Sequence, residues 1–180
     1  MNKIEIPLSK FNRLINFSPV VLVTSALNDK NNIVTVAWVT PLSNVPPLLG
    51  IAVAKKHFTN KLIKESSEFV INIPGKELLS EVKFCGSVRG EKIDKLKESG
   101  LTAKDSKETN SPIIDECLAH LECKLSDTID AGDHSFFIGE VVHATAVEGF
   151  LDKEYIADPA KAKTIHHLGG SRFARLEQIS

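Results

Sequence analysis

Apolar positions in this chain fall in short blocks of strand length, separated by polar or proline-rich punctuation. Residues 20–27 read as a buried strand, and residues 33–39 as its partner across the polar segment 28–32. Such a connection is long enough for a hairpin and too short for a crossover helix, so the pair is antiparallel. The segment Pro41-Leu42-Ser43-Asn44-Val45-Pro46-Pro47 predicts a turn, with the next strand over residues 48–54. From Thr59 the period lengthens: Leu62 and Ile63 lie among Lys61, Lys64 and Glu65, which predicts a short surface helix over 59–66. Thr59 is placed to cap it, and free N–H groups at such an end suit an anion.

Residues 69–73 form another strand, stopped by Pro74-Gly75. Helical patterns follow over 76–84 and 93–99, the second ending before Gly100, while 11–16 makes a helical turn or two before Pro19. Residues 102–111 are polar and predict a loop. Residues 118–126 alternate, with Leu121, Cys123 and Leu125 on one face and His120, Glu122 and Lys124 on the other; 135–147 is the last long strand. Ala131-Gly132-Asp133-His134 between them predicts a hairpin. Short strands with few helices favour an antiparallel barrel over a parallel sheet. The chain reads as one domain, 1–180, with a core at about 10–150 and a terminal arm at 151–180 in which Gly169-Gly170 permits a sharp turn.

Composition narrows the class. An apolar content of 42% and a charged content of 25% over 180 residues describe a globular domain able to bury its own core. With 22 basic and 23 acidic residues the formal charge is -1, against a nucleic-acid surface but compatible with a local site for one small anion. No apolar run has the length of a membrane span, and Met1-Asn2-Lys3-Ile4-Glu5 does not open a secretory signal. The odd set Cys85, Cys117 and Cys123 points to buried free thiols in a reducing cytoplasm.

Several chemistries lack their residues. There is no Gly-x-Gly-x-x-Gly between strand and helix, no Walker lysine and no Gly-x-Ser-x-Gly elbow; Gly86-Ser87-Val88-Arg89-Gly90 has the wrong frame. His120, His134 and His143 have no ligand-like spacing, Cys117 and Cys123 lack a second pair, and the adjacent His166-His167 point differently on regular structure, so no metal site is expected. The proline-rich turn and the ends of the adjacent strands suit a groove for a flat aromatic ring with a charged tail. Thr35, Trp38, Thr40 and Ser43 offer its polar and aromatic walls; Trp38 is equally a core anchor, and Thr40 and Ser43 equally bond their own turn. Lys55, Lys56, His57, Thr59 and Asn60 gather positive charge and donors at a strand-to-helix junction, with one of the two lysines turned toward the site. Cys85 is either a small packing residue or a thiol activated by a cation.

Read together, Asn32-Ile33-Val34-Thr35-Val36-Ala37-Trp38, Thr40-Pro41-Leu42-Ser43, Pro46-Pro47-Leu48 and Thr59-x-x-Leu62-Ile63 resemble the flavoredoxin branch of the flavin reductase-like family. Glu68-Phe69-Val70-Ile71-Asn72-Ile73-Pro74, Cys85-Gly86-Ser87, Gly90-Glu91-Lys92-Ile93-Asp94-Lys95 and Gly132-Asp133-His134-x-x-Phe137-x-Gly139-Glu140-Val141 continue it. The resemblance spans about residues 10–175 and implies a mainly β, single-domain split barrel with short helices, commonly a homodimer with FMN near the subunit boundary.

It further implies that Thr35, Val36, Ala37, Trp38 and Thr40 flank the flavin. Ala52, Val53 and Ala54 then give main-chain contacts, and Lys55, His57, Thr59 and Asn60 form the phosphate end. Asn72, Cys85 and Gly86 are further pocket candidates. FMN is favoured over FAD because no motif for an adenosine half is evident. The expected activity is hydride acceptance from NADH or NADPH and electron delivery to free flavin, ferric chelate, oxygen or a redox partner, with no catalytic side-chain acid or base. His134 either adjusts a protonation step or satisfies its own turn. The rival function is a noncatalytic FMN-binding electron carrier.

Overall fold

Apolar alternation drives the assembly of a seven-stranded, wholly antiparallel sheet that rolls into a split barrel. The computed structural model describes residues 3–28 and 30–176. Strands β1 (Val21–Leu27), β2 (Lys30–Val36), β3 (Val39–Ser43), β4 (Leu48–Ala54), β5 (Glu68–Ile73), β8 (Ala119–Ala131) and β9 (His134–Ala146) lie in the order β2-β1-β5-β8-β9-β4-β3. Two-residue strands β6 (Ala103–Lys104) and β7 (Ile113–Ile114) form a small ladder apart, and β10 (His166–Gly169) pairs with β11 (Arg172–Ala174).

Odd and even residues of a strand face opposite sides, and each side has its own core. Val21, Val23, Val34, Val36, Ile51, Val53, Phe69, Ile71 and Phe137 fill the barrel. Val20, Leu22, Ile33, Val82, Cys85, Leu96, Ile114 and Ile165 form a second core outside it, under the helices. Gly139 permits the inner packing: a methyl there would lie 2.6 Å from the Phe69 ring. The helices are α1 (Phe58–Ser66), α2 (Leu79–Ser87), α3 (Lys95–Ser99) and α4 (Pro159–Ala162), with 3-10 turns at Leu8–Leu14 and Lys76–Leu78.

The expected elements shift in instructive places. β4 has the expected bounds, and α1 starts one residue early. The polar residues Asn31 and Asn32 belong to β2, because the hairpin tightens until Leu27 faces Lys30 with Asn28 in left-handed backbone at φ 52°. Asp29 of the expected connection lies outside the described residues. The proline-rich turn contains a strand: β3 carries Pro41 because it is the edge of the sheet, where a missing N–H leaves no ladder gap. Gly100, at φ 73°, caps α3 as expected. The terminal arm returns to the barrel: Val20 N donates to Ile165 O at 2.7 Å, and Gly169 and Gly170 turn the β10–β11 hairpin with φ of 119° and 57°.

Candidate functional site

The barrel is split between β2 and the β4–α1 junction, and a cavity of about 190 Å³ occupies the split. Asn32 and Val34 wall it from β2, Lys56, His57 and Thr59 from the start of α1, and Gly86 to Glu91 with Lys95 from the α2–α3 region. The junction turns because His57 N donates to Ala54 O at 2.9 Å, and α1 begins at once with Phe58, beside this space.

Lys95 is the unusual member. Its side chain is only 4% exposed, Nζ donates to Cys85 O at 2.7 Å, and among the described residues it makes no ion pair. Burial lowers its pKa from the ordinary lysine value. A buried cation held by a carbonyl and facing a cavity is a partner short of neutrality. His57 reports the same field: burial, then Lys95, Lys56, His134 and Arg89, lower its pKa below 6.5. Thr59 lines the cavity and is 1% exposed; its Oγ1 accepts from Asn32 Nδ2 at 2.6 Å, and a hydroxyl that accepts still has a proton to donate.

A second cavity, about 480 Å³ and largely apolar, shares the Gly86–Ser87 wall. Thr35 and Ala37 floor it, Val82 lines it from α2, and His167, Gly170 and Phe173 close it from the terminal hairpin. Thr35 Oγ1 donates to Val82 O, fixing α2 on β2, and Gly86 keeps the approach open because a methyl there would stand 3.3 Å from Thr35 Cβ. His167 is held in one tautomer: its Nε2–H donates to Gly170 O at 3.0 Å and Nδ1 accepts from Asn16 Nδ2 at 2.9 Å.

Other expected site residues are engaged elsewhere. Lys55 pairs with Asp130 at 3.4 Å, so Lys56 is the lysine turned into the cavity. Val36 and Val53 point into the barrel core and present only backbone to the split. Asn60 Nδ2 donates to Val53 O at 3.0 Å. Asn72 is fully buried and ties three strands, donating to Leu22 O and Thr24 Oγ1 and accepting from Ile114 N. Cys85 packs in the outer core, and burial pushes its thiol up to about 11, which suits packing rather than nucleophilic attack. Ala54 gives its carbonyl to the junction turn. Thr40 Oγ1 donates to Pro41 O, its own turn, and Ser43 lies on β3. Trp38, Thr40 and Ala52 line a separate apolar cavity of about 320 Å³. Trp38 stacks on His134 with centroids 4.8 Å apart, and His134 Nδ1 lies 2.6 Å from Asp133 Oδ1.

Sequence reasoning did not single out Asn32, Arg89, Lys95, His167 or Phe173 for the site. The signal for Lys95 was its place directly after the helix-capping Asp94 and before the apolar Leu96. The terminal hairpin carried no local signal, since only the tertiary fold brings it to β2.

The flavin reductase like domain profile matches residues 15–163. The chain belongs to the flavin reductase-like family. An uncharacterized protein of Archaeoglobus fulgidus is 42% identical to it over 124 residues, 69% of this chain and 70% of that one. Flavoredoxin from Methanosarcina acetivorans superposes with a TM-score of 0.88 at 28% identity, covering 100% of this chain and 94% of that one. The FMN-binding domain of a flavin reductases-like enzyme from Shewanella baltica superposes with a TM-score of 0.80 at 26% identity, covering 97% and 94%. These neighbours share the split-barrel fold, and the family assignment agrees with the resemblance read from the sequence. No helix among the described residues is long and apolar enough to cross a membrane.

Proposed function

We propose that this flavin reductase-like chain is an FMN-dependent oxidoreductase that takes hydride from NADH or NADPH and passes electrons to free flavin, ferric chelate or a redox protein. The observation that carries the proposal is Lys95, a buried cation without a carboxylate, at a cavity that opens beside an apolar slot. A phosphate monoester brings about −1.5 to −2 charge, and that is the complement this cavity lacks.

The residues present fit the group. Lys95, Lys56 and Arg89 supply charge, the Thr59 hydroxyl and the first N–H groups of α1 supply directed donors, and Gly86 and Gly90 let a ligand approach the backbone. Thr35, Ala37, Val82 and Phe173 exclude water around a flat ring, and the tethered His167 holds the terminal hairpin in place over it. When bound, FMN supplies the hydride and single-electron chemistry, so the protein needs no acid–base pair in this site. The three buried free thiols fit a cytoplasmic setting.

Anaerobic mixing of the FMN-loaded protein with NADH and with NADPH tests the activity. Rapid loss of the flavin absorbance near about 450 nm with either donor is the expected result. Persistence of the colour with both, together with fast reduction by a protein partner, would replace the reductase with an electron carrier. The likeness to flavoredoxin favours that second reading.

We further propose a homodimer. Ile4, Leu8, Phe11, Leu14 and Phe17 are 58% to 87% exposed, a row that a second copy would cover.

A further inference from the structure

Lys95 carries a second chemistry that its role as a cation does not use. The side chain is 4% exposed and lines the cavity at the split, and Cys85 O, 2.7 Å from Nζ, is its one hydrogen-bond partner among the described residues. A lysine that gives one N–H to a carbonyl keeps a nitrogen lone pair whenever it sheds its proton. Burial favours that neutral form and lowers the pKa from the ordinary lysine value, so the amine has a larger nucleophilic fraction than a solvated lysine. Around it stand donors for an anion, Lys56, Arg89 and Thr59, and apolar Val34, Phe58 and Val88. At about 190 Å³ the cavity is smaller than the roughly 300–1,000 Å³ of sites for drug-sized molecules, and it suits a small anion with a short apolar group.

We propose that Lys95 is a modification site for acyl phosphates, the mixed anhydrides of a short carboxylic acid and phosphate, which transfer their acyl group to its Nζ. Geometry selects this class. An amine that can touch a phosphate oxygen can also reach the acyl carbon of such an anhydride, because only the bridging oxygen separates that carbon from phosphorus. A carbonyl set several bonds from its phosphate stays out of reach of an amine so placed. The Nζ lone pair forms the C–N bond, and the C–O bond breaks with its electron pair on the departing phosphate oxygen. The surplus amine proton passes to the His57 imidazole, on the same cavity wall, or to water. Inorganic phosphate leaves among cations that stabilise it, and nothing is oxidised or reduced. The product is a neutral amide, so the cavity loses its buried cation. Acylation thus switches off phosphate binding, and a bound phosphate shields the amine in return. The proposal shares with the FMN reading only the premise that this cavity holds phosphate.

The test incubates the flavin-free protein with acetyl phosphate, and separately with a simple acetyl thioester that carries no phosphate, and reads the sites by intact mass and peptide mapping. Acetyl phosphate is expected to label Lys95 about tenfold faster than the exposed Lys56, while the thioester shows no preference for Lys95. Excess inorganic phosphate is expected to slow the Lys95 label and spare the others. Lys95→Arg, which keeps the charge without the nucleophile, should lose that label while the other lysines keep theirs. The acetylated protein should bind FMN about tenfold more weakly and riboflavin as before. Labelling spread over the exposed lysines with no lead for Lys95, or a lead that inorganic phosphate does not reduce, overturns the proposal. A phosphate-protected label on Lys95 in a protein that binds no FMN keeps the modification and removes the FMN reading. FMN binding that fails in Lys95→Gln, with no acetyl label on wild-type Lys95, keeps the FMN reading and removes the modification.

Discussion

Asn32 and Thr59 meet across the split at 2.6 Å, the amide of β2 donating to the hydroxyl at the start of α1. This bond joins β2 to the start of α1 across the barrel's gap. Gly90 lies directly over the Asn32 amide. Gly90→Ala is therefore expected to displace Asn32 and lower FMN affinity about tenfold, the value of one to two polar contacts, with riboflavin affected less. Paired fluorescence titrations read this, and equal losses for both ligands count against a phosphate at this cavity.

Lys95 and Lys55 make a sharper contrast. Lys95→Met removes the buried cation while keeping the stem's bulk, and is expected to weaken FMN by roughly 1.5–3 kcal/mol with riboflavin unchanged. Lys55→Ala, which breaks only an exposed pair with Asp130, should leave both flavins as they were. The ligand-free Lys95→Met protein should melt no lower than wild type, because an unpaired buried charge is gone. Calorimetric binding and thermal melts decide it.

His57 gives the site a pH signature. Burial, then the neighbouring Lys95, Lys56, His134 and Arg89, hold its folded pKa below 6.5. The unfolded chain therefore takes up this proton first, so stability is full above pH 6.5 and falls as the solution is acidified through the window below it. His57→Gln should flatten that limb of a stability-versus-pH curve. A bound phosphate reverses the local field and raises the pKa, so FMN binding is expected to take up protons, read by calorimetry in buffers of different ionisation enthalpy.

Far from the split, Glu122 is 3% exposed and clamps a loop. Burial opposes its charge, but N–H donors from Lys107, Glu108 and Thr109, at 2.9, 2.6 and 3.1 Å, together with His143, hold its pKa below 4.5. Glu122→Gln is expected to cost about 2–3 kcal/mol, the worth of a charged acceptor with several donors, in urea denaturation. The carboxylate's contribution is present above pH 4.5 and is lost as the pH falls through its folded value.

The exposed N-terminal row predicts an assembly. Phe11→Glu with Leu14→Glu should shift the mass by light scattering from two copies to one; a wild-type protein that runs as a monomer at micromolar concentration would remove the dimer.

β4 was legible from its continuous apolar run, β8 only in its first part, since the expected 118–126 continues to Ala131, and α1 announced itself by its change of period. β3 was not, because proline reads locally as a turn and only the sheet order reveals an edge. The cationic cavity was half legible. His57 and Thr59 could be found at the junction, but Lys55 and Lys56 are indistinguishable until Asp130, seventy-odd residues away in the chain, claims one of them. Asn60 and Asn72 have the chemistry of ligand contacts, and their side chains bond the fold: Asn60 joins α1 to β4, and Asn72 joins β5 to β1. Polarity identified groups that need partners, not whether the partner is a ligand or the fold.

The terminal hairpin has a consequence for biosynthesis. Its anchor on Val20 and its residues over Ala37 are contributed after the whole barrel has been made. During translation the residues of the electrostatic half are all made by Lys95, but β4 joins the sheet through β9, so that half assembles once Ala146 has emerged, whereas the hydrophobic half waits for Phe173. Nascent chains should thus hold inorganic phosphate well before they can retain a coloured coenzyme.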